Sequence, residues 1–310
     1  TSLILNFSNY PSMKNTGYFI LFTLAFLGAC SKDVNIGVQP YDSKLSIQSL
    51  ITPGHTPKVY LYQTVAFFDP NVLPADLFVR DATVTLATPE GSEILFPDSS
   101  WNAYRCHYEY HYSGSIPIQA GKTYTLSVSR NGSTFSSTAA TNQRVVQPDS
   151  VTYVQKFKDL YGEHEGVVLH FKDPVGTGEY YRFAMGRSFA QTDTIFGTGK
   201  EFSPCALGQA TWLEEIGRSI YPDQNADGTP FVITVEPAYK HKTGQVGYVR
   251  LQTMDKAIYE FFDQFDRQKL AQFNPFVEPV FILPGQFGAG AIGVFGAYAV
   301  SDSIQFVYPE

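Results

Sequence analysis

The sequence predicts a mainly β protein, with an N-terminal immunoglobulin-like β-sandwich and a second β-rich domain that holds one long packed helix. Three observations predict this class. Short aromatic and β-branched segments recur between turn signals, the chain contains 20 Tyr and 25 Phe, and only one segment has a strong helical period. Charged residues are 16% of the chain, and low charge with many aromatic residues argues against disorder.

The predicted sandwich covers residues 45–142. Turn signals that contain Pro, Gly or Asp separate its apolar segments at the spacing typical of sandwiches. The predicted strands are Leu45–Ile51, Lys58–Phe67, Ala82–Thr88, Trp101–Tyr112 and Thr123–Arg130.

The strand predicted at Trp101–Tyr112 has an unusual alternation. From residue 104 its even positions are four Tyr and Cys106, and its odd positions are Arg105, His107, Glu109 and His111. Because alternate residues share a face of a strand, the pattern favours an aromatic core face opposite a solvated one. The functional alternatives are an aromatic ligand platform and a metal pair. The metal pair is disfavoured because His107 and His111 would lie about 13 Å apart on a strand.

The second domain is predicted at residues 148–310. Its predicted strands are Ser150–Tyr153, Gly166–Phe171, Tyr180–Met185, Phe231–Glu236, Gly247–Thr253 and Ala297–Val307. Apolar residues at three- and four-residue steps predict a helix over 254–273, which begins beside Thr253 as its cap and ends before Asn274-Pro275. One face of this helix is apolar enough to require packing on the second sheet.

The first 44 residues predict export and lipidation. An uncharged apolar run from Tyr18 to Ala29 follows Lys14, and it is shorter than the roughly 20 residues that span a membrane. Leu27-Gly28-Ala29-Cys30 fits a bacterial lipobox, which makes Cys30 the predicted lipidation site. Residues 1–29 are therefore interpreted as upstream residues and signal peptide, with Met13 as the start, and residues 30–44 as a lipidated tether. A second acyl chain is what makes such anchoring stable.

Charge and cysteine content narrow the function classes. A net charge of −7 without a basic cluster excludes a typical nucleic-acid binder, because such binding depends on neutralising phosphates. With Cys30 lipidated, Cys106 and Cys205 remain. In an oxidising compartment they either pair, which would join the two domains, or stay as two buried thiols.

Two motifs resemble binding sites. Asp223, Asn225, Asp227 and Gly228 have the spacing of the first half of a calcium loop, but Thr234 occupies the position of the bidentate Glu and Glu236 comes two residues late. A structural turn is the favoured interpretation. The glycines of Gly288-Ala-Gly290-Ala-Ile-Gly293 spell a dinucleotide fingerprint, but a strand-like segment follows where a helix is needed, so a glycine-rich bend is predicted.

No nucleophile elbow or zinc-protease motif occurs in the sequence. The sequence therefore predicts no catalytic, metal or cofactor residues. A carboxylate pair of the glycosidase type stays open, since such a pair is defined by separation in space. The carboxylates considered for it are Glu163, Glu165, Glu214 and Glu215.

Several segments, in their order and spacing, resemble the Bacteroidota lipoproteins grouped as domain-of-unknown-function family 4249. They are Gly121–Leu126, Pro148–Val151, Val168–Pro174, Tyr180–Phe183, Asp227-Gly228, Tyr259, Asn274–Phe276 and Gly293–Tyr298. The resemblance implies an outer-membrane lipoprotein, lipidated at Cys30 and often encoded beside TonB-dependent receptors. Ser31-Lys32-Asp33 is similar to a weak surface-export signal. No catalytic residues are established for the family.

Three functions follow as hypotheses. The first is a non-enzymatic accessory that binds a ligand or partner beside a TonB-dependent receptor of a nutrient-uptake system. The second is a structural or adhesive surface module, which predicts large exposed apolar patches. The third is a surface glycan or peptide hydrolase, which predicts a cleft with two close carboxylates or a nucleophile–base pair. The first is favoured, and fold alone does not separate the three.

Overall fold

The computed structural model describes residues 41–66, 73–102, 107–159, 162–176, 178–188, 210–213, 220–224, 227–237, 241, 243–273 and 285–309. The fold is mainly β with one long helix, as predicted. The first seven strands are β1 (Leu45–Ile51), β2 (Lys58–Gln63), β3 (Thr83–Thr88), β4 (Gly91–Asn102), β5 (His107–Ser113), β6 (Thr123–Arg130) and β7 (Ser133–Ala140). A short helix, α1 (Pro74–Leu77), lies between β2 and β3.

The second half of the chain contains the remaining elements. Its long helix is α2 (Lys256–Phe273). Its strands are β8 (Pro148–Asp159), β9 (Gly162–Lys172), β10 (Tyr180–Ser188), β11 (Ala210–Leu213), β12 (Ile220–Pro222), β13 (Pro230–Val235), β14 (Val246–Met254), β15 (Ala291–Val300) and β16 (Ile304–Val307).

The strands form two sheets. The first has 13 strands in the order β11-β10-β14-β15-β1-β2-β5-β4-β3-β6-β7, with β12 beside β10 and β16 beside β14. The second has three strands in the order β13-β9-β8. Strand β1 pairs in parallel with β15, from Leu45 opposite Ala291 to Ile51 opposite Ala297. One sheet therefore crosses the boundary predicted between residues 142 and 148, and the division into two domains stays a prediction.

The first core lies within the N-terminal part of the long sheet. Its buried side chains come from strands β1 to β7 and from β15, together with Phe78, Val79, Ile118 and Phe287 of the connecting segments. They include Ile47, Leu61, Val84, Leu126 and Phe295, each fully buried. Strands far apart in the sheet order thus share one core, so the sheet folds over itself. The immunoglobulin-like detail of this fold stays a prediction.

The second core lies between the two sheets. Val167, Leu169 and Phe171 of β9 face Phe183 and Leu251 of the long sheet within one buried cluster. On β9 and β10 these residues alternate with others, as strands with a buried face require. The three-stranded sheet therefore covers the C-terminal part of the long sheet.

Helix α2 packs beside β15 and begins two residues later than predicted. The Asp255 carboxylate accepts hydrogen bonds from Ile258 N at 2.9 Å and from Ala297 N at 2.7 Å. Asp255 is thus the cap, and the prediction of Thr253 was wrong because Thr253 lies within β14 with a buried side chain. One carboxylate both caps the helix and attaches it to the central sheet.

Two predicted strands are each divided in the structure. Residues Trp101–Tyr112 were predicted as one strand, but β4 ends at Asn102 and its antiparallel partner β5 begins at His107. Residues Ala297–Val307 were also predicted as one strand, but β15 ends at Val300 and β16 follows. The prediction treated the apolar segments as continuous and passed over the polar residues between them, which are Ser301, Asp302 and Ser303 in the second case.

The glycine-rich segment is a bend only up to Gly290. Strand β15 begins at Ala291, and Gly293 lies within it at φ 127° opposite Ile47. A Cβ at residue 293 would overlap the Ile47 carbonyl oxygen. The third glycine of the motif thus permits close approach of two parallel strands.

Candidate functional site

The clearest candidate surface is on a two-stranded arm formed by Phe96–Asn102 of β4 and His107–Ser113 of β5. The two segments pair in one continuous antiparallel register, in which Trp101 lies opposite Tyr108. Strand β3 pairs with β4 only up to Leu95, and β2 pairs with β5 only at Ser113 and Tyr112. Within the described chain, the outer part of the arm is therefore a two-stranded ribbon.

One face of the arm carries an aromatic series that runs from the core to solvent. Tyr112 is 1% exposed, Tyr110 is half-buried against the first core, and Tyr108 is 56% exposed. The Trp101 ring meets the Tyr108 ring edge to face at 5.0 Å and is itself 50% exposed. The core face of the sheet thus continues outward as a displayed aromatic surface.

The segment after α1 completes this surface at its inner end. Phe78 lies beside β2, where it bridges to Tyr62, and its ring stacks on Tyr110 at 5.6 Å. The exposed Arg80 guanidinium lies 5.2 Å from the centres of both the Phe78 and Tyr110 rings. We define the aromatic strip as Trp101, Tyr108, Tyr110, Phe78 and Arg80.

Apart from the exposed Phe96, the opposite face of the arm is polar, but it is not uniformly solvated as predicted. His111 is 1% exposed and packs on the Tyr60 ring at 5.6 Å, and burial lowers the pKa of its imidazole. His107 is exposed. Nδ1 of each ring lies 3.1 Å from a backbone oxygen of its own strand, Glu109 O for His111 and Tyr108 O for His107. The two histidines therefore lie in different environments.

A second polar group, the interlayer cluster, lies at one end of the second core. It consists of Tyr153, Glu165, His241, Tyr308 and Arg187. The Tyr153 hydroxyl donates to Glu165 Oε2 at 2.6 Å, and His241 stacks on Tyr308 at 4.4 Å. Nδ1 of His241 lies 3.3 Å from Glu165 Oε2, at ion-pair distance but outside hydrogen-bond geometry.

The buried Arg187 packs against the Tyr308 ring of this cluster. Its Nη1 donates to Gln245 Oε1 at 3.3 Å, and its guanidinium lies 5.3 Å from the centre of the Tyr308 ring. Burial, reinforced by the Glu165 carboxylate, raises the pKa of Tyr153 to about 12, and burial raises the pKa of Tyr308 to about 12. Both hydroxyls stay protonated at neutral pH, whereas a general base needs a pKa near the working pH. Their chemistry is that of hydrogen-bond donors between layers.

The calcium-like segment has its carboxylates turned toward a neighbouring loop. Asp223 accepts from Gly178 N at 3.0 Å and Glu179 N at 3.3 Å, and Asp227 accepts from Gly176 N at 2.7 Å. Gly228 adopts φ 70° and donates to the buried Asp173 at 3.0 Å. These contacts support the structural-turn interpretation, in which backbone N–H groups occupy the carboxylate oxygens.

The loop that contacts this calcium-like segment borders a shallow cleft of about 430 Å³. Its lining includes Val146, Asp149, Lys172 and Val175. Among the described residues, no three His, Cys, Asp or Glu side chains lie together as a metal-binding group.

Several predicted residues lie outside the described part of the chain. They are Cys30, Cys106, Cys205, Glu214, Glu215, Asn225 and the segment Asn274–Phe276. The two described carboxylates of the hydrolase hypothesis have different partners. Glu163 pairs with Lys156 at 2.7 Å, whereas Glu165 belongs to the interlayer cluster. No helix in the described residues is long and apolar enough to cross a membrane.

Comparison with protein families gives one match. Residues 31–304 match the model of the family described as Domain of unknown function (DUF4249). The chain belongs to this family. The match covers nearly all of the chain after Cys30, which confirms the family predicted from its scattered motifs. No curated protein sequence matches the chain.

The sequence of this DUF4249 chain predicted only part of the aromatic strip. Alternating tyrosines indicated a platform, but Trp101 was assigned to the same strand as Tyr108 instead of the opposite one. No sequence pattern predicted that Phe78 and Arg80 belong to the strip, because they lie in a segment that is distant from the arm along the chain.

Proposed function

We propose that this protein is a non-enzymatic lipoprotein of the bacterial outer membrane, lipidated at Cys30, which binds a ligand or partner as an accessory of a TonB-dependent uptake system. The observation that supports the binding role is the aromatic strip. Trp101 and Tyr108 expose about half of their side chains at the end of a two-stranded ribbon.

The energetics of the strip favour binding over a purely structural role. Covering water-exposed aromatic surface lowers the free energy by about 25 cal/mol for each Å² that is removed from water. Isolated two-stranded ribbons are only marginally stable in water. Trp, Tyr and Arg are also the residue types that dominate binding energy at interfaces. All three types occur on the strip, where Trp101 contacts Tyr108 and Arg80 lies over Tyr110.

The sequence supports the anchor. The lipobox before Cys30 supplies a lipid attachment, and residues 31–44 link that attachment to the folded part of the chain. A receptor beside the lipoprotein is the partner that the family resemblance implies.

The test is a detergent pull-down of the full-length lipoprotein from its native outer membrane. A TonB-dependent barrel should co-purify in near-stoichiometric amount. A Cys30→Ser variant, which has no thiol to acylate, should leave the membrane fraction and lose the barrel. Recovery of the lipidated protein alone would contradict the accessory role, and a membrane-bound Cys30→Ser variant would contradict the anchor.

A further inference from the structure

The aromatic strip has the shape of a track. Its two outer rings come from one cross-strand pair, and the next ring along β5 follows after two residues, which on a strand is about 7 Å. At the inner end the exposed Arg80 lies over Phe78, which is only 5% exposed. The accessible strip therefore consists of Trp101, Tyr108, the half-buried Tyr110 and Arg80, and it is only one or two side chains wide.

The charge on the strip is a single unpaired cation. Within the described chain the Arg80 guanidinium contacts two rings, and no carboxylate lies within ion-pair distance. The nearby Arg130 differs, because its Nε lies 2.8 Å from Asp81. Arg80 thus keeps its hydrogen-bond donors directed to solvent, in a protein whose net charge is −7.

The narrow shape of the strip and its unpaired guanidinium together indicate the chemical class of the ligand. A guanidinium held against rings binds carboxylates in a bidentate manner. Exposed Trp and Tyr faces carry negative charge density, which attracts the polarised C–H bonds on one side of a sugar ring. A linear chain of sugars that bear carboxylates could pair with the guanidinium and stack on the aromatic rings along the narrow strip.

We propose that the aromatic strip binds a linear acidic polysaccharide, with sugar rings stacked on Trp101 and Tyr108 and a uronate carboxylate paired with Arg80. This inference rests on the proposed binding function and names its ligand class. A folded protein partner fits less well, because stable protein interfaces bury at least about 1,000 Å² over a broad patch, whereas the strip is only one or two side chains wide.

Affinity electrophoresis tests the proposal with the full folded chain. Native gels would contain polygalacturonate, alginate or chondroitin sulfate as acidic probes, and dextran or methylcellulose as neutral ones. The wild type should be retarded by at least one acidic probe and much less by the neutral ones. Raising the salt concentration should weaken the retardation, because an exposed ion pair is screened.

Three variants assign the binding to the strip. Trp101→Ala/Tyr108→Ala should abolish retardation, and Arg80→Gln should raise the dissociation constant for the acidic probe about tenfold. The matched control is Phe96→Ala, which removes a ring that is 67% exposed on the opposite face of the same arm. It should bind like the wild type, and circular dichroism should show that all variants are folded.

Three results would overturn the inference. They are no retardation by any acidic probe, equal retardation by neutral probes, and equal loss of binding in Phe96→Ala. If the strip variants instead lose the receptor in the pull-down while no gel retards the wild type, the strip is a protein-docking face. In that case the proposed function stands and the acidic polysaccharide is excluded.

Discussion

The arm and the interlayer cluster use the same side chains, tyrosine, histidine and glutamate, in opposite ways. In the cluster, Tyr153 and Glu165 bond to each other beneath a covering sheet, and the rings of His241 and Tyr308 stack. On the arm, the Tyr108 ring contacts the half-exposed Trp101 ring and is itself 56% exposed. The difference is the second layer, because β8 and β9 cover the C-terminal strands and no described strand covers the outer arm. Residue type alone therefore does not tell a structural group from a displayed one.

The largest expected effect compares one aromatic residue from each region. Phe183→Ala empties a fully buried position between the sheets and should cost 3–5 kcal/mol of unfolding free energy, by the usual range for such truncations. Trp101→Ala removes a half-exposed ring and should cost at most about 1 kcal/mol, the range of a cross-strand pair. Urea unfolding followed by circular dichroism measures both. Equal costs would mean that the arm is part of the core and not a displayed element.

An intermediate effect concerns the tyrosine hydroxyls. Tyr153→Phe removes the donor to Glu165 and should cost about 1 kcal/mol, whereas Tyr108→Phe removes an exposed hydroxyl and should be neutral. The pKa of Tyr153, about 12, lies above its ordinary value of 10, so its contribution is complete below pH 10 and is lost between pH 10 and 12.

Chemical unfolding at pH 7 and at several values above pH 10 would measure this. Tyr153→Phe should lose less stability than the wild type across the alkaline range, and Tyr108→Phe should follow the wild type. A Tyr153→Phe curve parallel to the wild type would exclude this hydroxyl as a source of the pH dependence.

The smallest effect compares the two histidines of the arm. Burial lowers the pKa of His111, so the folded protein binds a proton there less readily than the unfolded chain does. Unfolding free energy should therefore be constant above the unfolded pKa of about 6.5 and fall as the pH is lowered from there. His111→Gln should reduce this slope, and the exposed control His107→Gln should keep it. Urea unfolding between pH 7.5 and 5 measures both, with Lys58, Asp98 and Glu109 present as neighbouring charges in each variant.

Local sequence patterns predicted much of the fold. Strands Leu45–Ile51 and Thr123–Arg130 have the predicted bounds, and the long helix ends at the predicted Phe273. Strand β7 was missed because Ser133–Ala140 is mostly Ser, Thr and Ala, and its place is fixed by pairing with β6 across the Asn131-Gly132 turn. Here pairing in the sheet overrides composition.

Long-range relations could not be predicted in the same way. Nothing near Ile47 indicates that its partner is Gly293, and nothing near Arg80 indicates that it lies over Tyr110. The aromatic face of the arm followed from a two-residue period, but its exposure depends on where neighbouring strands stop pairing. Pattern predicts which residues share a face, whereas the ends of neighbouring elements decide which part of that face stays in water.

The parallel pairing of β1 with β15 also has a kinetic consequence. Residues 52–290 separate the two strands, so β15, the second neighbour of β1, is synthesised long after β1 and β2. Contacts of such high order form slowly, because the entropy of closing the loop is lost before the contact stabilises the fold. Until Ala291–Val300 is in place, β1 has one unpaired edge, and Ile47 and Ile51 lack their final cover. An unfinished chain therefore exposes a strand edge, and an unpaired edge of this kind favours aggregation.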